Sequence, residues 1–80
     1  MSKILIGKVA TCIKTIRKER CLSQEELADL SNLDRTYISG VERGVRNITL
    51  ESLEAIILAL DISIDDFLKS LIEMELEQNG

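Results

Sequence analysis

Between Ser23 and Gly44 the chain carries two helix starts and two helix stops in close succession, and few folds accommodate that spacing. Ser23 with Glu26 three residues on reads as a capping box, in which each side chain takes the other residue's unpaired backbone N–H. Asn32 falls where the chain must reverse, and Asn tolerates left-handed backbone better than most residues. Asp34 is a strong N-cap for a second helix, with Arg35 in its first position. Gly44 supplies the left-handed residue that stops it. Two short helices joined by Ser31-Asn32-Leu33 are therefore expected.

The flanking segments repeat their apolar residues at helical spacing. Ile6, Val9, Ile13 and Ile16 mark a first helix from about Ile6 to Arg20, and Leu27, Ala28 and Leu30 the apolar face of the second. Ile38 and Val41 should turn the third inward. Thr49 caps a fourth helix whose stripe is Leu50, Leu53, Ile56, Ile57 and Leu60. Ser63 with Asp66 opens a fifth, lined by Ile64, Phe67, Leu68, Leu71 and Ile72. The isoleucines never alternate as strand residues would. The expected fold class is all-α, five helices in a single domain spanning residues 1–80.

Charge divides the chain. Residues 1–46 hold nine basic and six acidic residues, a net of +3, while residues 47–80 hold one basic and eight acidic residues, a net of −7. Salt screens charge beyond ~8–10 Å, so one face can meet phosphate while another stays acidic. The hydrophobic fraction of 45% exceeds what one small core requires and points to a homodimer. Leu58, Ile62, Ile64, Phe67, Leu68 and Leu71, in helices spanning about residues 50–76, are the candidate interface; the alternative place for each is the protomer core. Cys12 and Cys21, nine apart with no histidine in the chain, match neither a redox pair nor a zinc site, and read as buried, reduced thiols. No metal or cofactor is expected. Asp65-Asp66 lacks the other ligands of a calcium loop and reads as helix N-terminal charge. Met1–Val9 is too short and too broken by Lys3, Gly7 and Lys8 to be a secretory leader, and no run suits a membrane span. A cytoplasmic location is expected.

Two short helices at a tight turn, with polar residues loaded onto the start of the second, form the pattern of a helix-turn-helix over residues 23–44, which presents its second helix to the DNA major groove. Arg35, Thr36, Tyr37 and Ser39 project from the reading end of that helix. Arg suits the O6 and N7 of guanine, and Ser or Thr serves either base or phosphate. Tyr37 offers a hydroxyl and an apolar ring, with packing as its plain alternative. Arg43, Arg46 and Asn47 form a polar loop placed to hold phosphate, and Gln24 is placed to do so from the start of the preceding helix. Arg17 and Glu42 should pair and tie the first helix to the third. An enzyme is disfavoured: no histidine, no nucleophile with a base and no glycine-rich phosphate loop is present.

Residues 13–68 resemble the Cro/repressor-type helix-turn-helix family through IRKER (16–20), LSQEELA (22–28), YISGVERG (37–44), RN (46–47) and LESLEAIILAL followed by IS (50–60, 62–63). The resemblance implies a five-helix, usually dimeric DNA-binding domain. The family commonly has Gly where this chain has Cys21, Asn32 and Asp61, and Pro where it has Ile48. Gly40, unusual within the recognition helix, lowers helix propensity and would permit close approach to DNA. Within the family, the run NLDRTYISGVERGVRNIT is most similar to controller proteins of restriction–modification systems. That resemblance implies a homodimeric autoregulator that binds paired palindromic operator half-sites as one or two dimers. It would activate, then repress, its own gene and the endonuclease gene, with RNA polymerase as a candidate partner. It also assigns base reading to Arg35, Thr36, Tyr37 and Ser39, and phosphate to Arg43, Arg46 and Asn47. The alternatives are a phage-type repressor, an antitoxin (for which Met74–Gly80 is too short a stretch to serve as the usual toxin-binding segment) and, from another class, a helical protein-interaction module.

Overall fold

Every turn between the helices is built on one residue in the left-handed backbone region. The computed structural model describes residues 4–79, with side chains to residue 74, and the ends of the 1–80 span lie outside them. Five helices follow one another: α1 (Ile4–Glu19), α2 (Gln24–Ser31), α3 (Arg35–Glu42), α4 (Leu50–Ala59) and α5 (Ile64–Asn79). No strand occurs among the described residues. The turns carry Cys21 (φ 58°), Asn32 (58°), Gly44 (73°) and Asp61 (59°) in order. After α1, Cys21 N–H donates to the Lys18 carbonyl and Leu22 N–H to the Arg17 carbonyl. After α2, Asn32 and Leu33 reach Asp29 and Ala28; after α3, Gly44 and Val45 reach Val41 and Gly40. These paired bonds satisfy carbonyls that a helix end would otherwise leave open. The backbone thus keeps a glycine conformation at three positions that carry a side chain.

The helix starts are equally local. Ser23 Oγ accepts the Glu26 N–H at 3.0 Å and Ser23 N–H donates to Glu26 Oε1 at 2.8 Å, completing the capping box. Asp34 accepts from the Thr36 N–H, Thr49 from Ser52 and Ser63 from Asp66.

Each helix sends one large side chain wholly out of solvent: Ile13, Leu27, Ile38, Ile56 and Phe67, joined by Leu60 at the end of α4. Burying a side chain of this size contributes ~1.5–3 kcal/mol. The helices meet as α2 on α3 and α4, α1 on α3 and α5, and α4 on α5.

Four expectations from spacing need correction. Leu30, read as part of the apolar face of the second helix, is 60% exposed, and Leu50, read as part of the α4 stripe, is 84% exposed. Leu30 sits on an eight-residue helix whose buried arc is filled by Leu27, Ala28 and Ser31, and Leu50 lines an open groove between α1, α4 and α5. Phe67, read as interface, is enclosed in the protomer core. Cys21, read as a buried thiol, is exposed because the left-handed turn directs it outward. Cys12 is buried, and burial, with a smaller push from Glu19, raises its thiol to about 11, which keeps it protonated at neutral pH.

One polar cluster crosses the core. Arg17 of α1 donates from Nε to Glu42 Oε2 at 2.6 Å and from Nη2 to Oε1 at 3.0 Å, while its Nη1 donates to the Leu22 carbonyl at 2.7 Å. The side chains are 9% and 2% exposed. Gln24 Nε2 adds a bond to Glu42 Oε1 at 3.1 Å. One guanidinium and one carboxylate therefore fasten α1, the α1–α2 turn, α2 and α3 together. Arg20 makes a second tie, from Nε to the Leu60 carbonyl at 2.9 Å.

Glu42→Ala leaves the Arg17 charge buried without its partner, and urea unfolding should record a loss of ~3–5 kcal/mol. A loss below ~1 kcal/mol would mark the pair as solvent-screened. Cys21→Gly should raise the melting temperature. It relieves ~1–2 kcal/mol of left-handed strain against ~0.5–1 kcal/mol of added unfolded-state freedom. Asn32→Gly, where Asn already tolerates the geometry, should change stability much less.

Candidate nucleic-acid interface

The third helix has two faces of different chemistry. Ile38, Val41 and Glu42 are buried against the protomer, the first two in the core and the third on Arg17. At ~100° per residue, Arg35, Thr36, Ser39 and Arg43 share the outward arc. Arg35, Thr36 and Arg43 are exposed and Ser39 is half-buried. Arg35 forms no ion pair among the described residues, so neither Asp34 nor Glu25 holds it. Asp34 instead spends its carboxylate on the Thr36 N–H at 2.9 Å. A guanidinium at the start of the helix, unpaired and on the solvent side, can place its paired donors on an acceptor edge such as that of guanine.

Tyr37 lies at the border of the two faces. Its ring packs on the core while remaining half-exposed. The Arg46 guanidinium sits 5.0 Å from the ring centroid. Arg46 and Asn47 are exposed in the loop that follows α3, and Arg43 donates from Nε to the Ser39 carbonyl at 3.3 Å. The outward arc of α3 thus carries Arg35, Thr36, Ser39 and Arg43, and the loop that follows it exposes Arg46 and Asn47.

Gln24, expected to hold phosphate, directs its amide to Glu42 and is half-buried. Its backbone stands at the start of α2, where the helix dipole favours an anion. Gly40 also departs from expectation. It is buried, and a Cβ built there would lie 3.5 Å from the Arg46 Cβ, so the open side of the glycine is filled by Arg46 rather than left for DNA.

A second surface is apolar. Leu5, Val9, Leu50, Leu53, Ile57 and Ile64 line a groove with Phe67, Leu68 and Leu71, an opening of about 520 Å³ between α1, α4 and α5. The interface candidates read from the sequence include the α5 side of this groove but not Leu5, Leu50 or Leu53, of which the last two were read only as the α4 stripe. Of the interface candidates, Ile64 and Leu68 are exposed, Leu71 is half-buried and Phe67 forms the floor. Leu58 lies elsewhere, in a shallow depression with Leu30, Asn32, Ala55 and Ala59, and Ile62 is half-buried against the core. No helix among the described residues is long and apolar enough to cross a membrane.

Comparison with known proteins agrees with this geometry. Residues 13–67 match the helix-turn-helix family. The chain is 48% identical over 52 residues to the immunity repressor protein of Bacillus phage phi105, covering 65% of this chain but only 36% of the repressor. It is 43% identical over 60 residues to control protein C.SmaI of Serratia marcescens, covering 75% of this chain and 71% of that protein. The crystal structure of the wild-type restriction–modification controller protein C.Esp1396I superposes with a TM-score of 0.90 at 50% identity, covering 95% of this chain and 99% of that one. C.Esp1396I has also been crystallised as a tetramer in complex with its natural 35 base-pair operator. With the recognition helix, the basic loop and the five-helix frame all in place, the chain belongs to the helix-turn-helix family, among the controller proteins of restriction–modification systems.

Proposed function

We propose that this protein is a cytoplasmic, DNA-binding transcriptional regulator, the controller of a restriction–modification system, which binds palindromic operators as a homodimer, activating and then repressing its own and the endonuclease gene. The observation that carries this reading is the outward arc of α3, where Arg35, Thr36 and Ser39 stand beside the Arg43–Asn47 loop. In this reading Arg35, Thr36, Tyr37 and Ser39 meet base edges, and Arg43, Arg46 and Asn47 hold the phosphates that fix register. Gln24 contributes mainly through the N-terminal end of α2. A protein-interaction module would need none of these arginines outward. Catalysis is not part of the reading.

The apolar groove supports the dimer. Leu50 is 84% exposed in the protomer and Leu68 50%, beside Leu5 and Ile64, and water covers such a patch at a cost in free energy. A two-fold pair joined there would present two recognition helices to half-sites ~34 Å apart. The operator-bound tetramer of C.Esp1396I favours two such dimers on one operator.

The primary test is a gel-shift titration against the DNA upstream of the protein's own gene at two salt concentrations. Stepwise, salt-sensitive binding is expected. Arg35→Ala should lose ~1–3 kcal/mol per half-site on that DNA and little on random sequence. Equal, weak binding to both DNAs would defeat the proposal. For the groove, Leu50→Glu and Leu68→Glu should yield folded monomers in sedimentation, because both side chains are already exposed in the protomer. Phe67→Glu should unfold the chain instead. Charged variants that stay dimeric would exclude the groove as the interface.

A further inference from the structure

Arg46, though exposed, has a neighbour at its head and another along its stem. Its guanidinium lies 5.0 Å from the Tyr37 ring centroid, inside the ~6 Å reach of a cation–π contact. Its stem runs past Gly40: a Cβ there would stand 3.5 Å from Arg46 Cβ, 3.8 Å from Cδ and 4.0 Å from Cγ. Tyr37 and Gly40 are three residues apart on α3 and so stack along one helix surface. The loop itself is fastened at the same place, since the Val45 N–H donates to the Gly40 carbonyl at 3.1 Å.

We propose that Tyr37 and Gly40 form a dock that sets Arg46 in place before DNA arrives, making both of them positioning residues for a phosphate contact. The inference rests on the DNA-binding reading above. A free arginine loses rotamer freedom when it binds, and a docked one has already lost it. Stacking uses the face of the guanidinium and leaves its N–H edge available for phosphate oxygens. A lysine could not be held this way with the same geometry. Gly40 sets the clearance: Ala makes ordinary contact with the stem, and a larger side chain takes its place. The three heavy atoms nearest a Cβ built at Gly40 all belong to Arg46, so the Arg46 stem is what an added side chain meets first.

The free protein and its DNA complex test this separately. In the free protein, NMR should find the Arg46 δ-methylene protons shifted upfield by the Tyr37 ring, with the shift kept in Tyr37→Phe and Gly40→Ala and lost in Tyr37→Leu and Gly40→Leu. On DNA from upstream of the protein's own gene, Arg46→Ala should weaken binding and lower the salt slope by ~1 per protomer. Gly40→Leu, compared at a temperature where circular dichroism shows it folded, should fall to the level of Arg46→Ala, and Gly40→Ala should bind like the parent. The double-mutant cycle of Tyr37→Leu with Arg46→Ala should show a coupling of about two- to fivefold per half-site, and Tyr37→Phe should preserve it. An additive cycle, a tight-binding Gly40→Leu or an absent ring shift would overturn the dock. Loss of specific binding by the parent protein would instead overturn the DNA-binding reading, while the ring shift still reports on the dock.

Discussion

The Arg17–Glu42 pair is the interaction on which the rest of the molecule depends. Its carboxylate belongs to the last residue of the recognition helix and its guanidinium to the last turn of α1. Through Nη1 the same arginine holds the Leu22 carbonyl, and through Oε1 the same carboxylate holds Gln24. An apolar contact in this position would be non-directional. A forked guanidinium against a carboxylate fixes distance and orientation together. The pair therefore does for α3 what caps do for single helices: it sets the angle at which the outward residues leave the domain. No buried side-chain polar atom among the described residues lacks a partner, so the ions are compensated rather than stranded.

Local signals in the sequence were legible where the physics is local. Ser23, Asp34 and Thr49 act on backbone groups two or three residues away, and Asn32 and Gly44 act on their own dihedral angles. The left-handed turns at Cys21 and Asp61, where the family commonly has Gly, were not legible in the residues themselves, because neither side chain announces that geometry. Periodicity was less sufficient. It finds a stripe but does not say how wide the buried arc is, and in an eight-residue helix one position decides whether Leu30 is core or surface. Leu50 fails for another reason: its stripe faces a groove that a single chain leaves open. Leu58 and Phe67 show the converse, since neither the depression beside Leu30 nor the depth of the core can be read from spacing.

The candidate site divides in the same way. Residues that point outward from α3 follow from its cap and its buried arc. The relation of Arg46 to Tyr37 and Gly40 does not, because it joins a helix to a loop whose path is set by the bonds after Gly44. The signal was present only as an anomaly, a glycine in the middle of a helix, where it weakens the helix by ~0.5–1 kcal/mol relative to Ala. Such a residue asks what lies against it, and here the answer is an arginine stem.

The uncovered groove has a consequence for how long the protein lasts. Any assembly that closes it draws the folded state forward by mass action, so stability rises with the number of copies present. A dilute chain spends more time as a protomer, with Leu50 and Leu68 in water and a larger share of its molecules open to proteolysis. A concentrated one is protected. Abundance and lifetime then reinforce each other, and a slow accumulation sharpens into a threshold before any gene is touched.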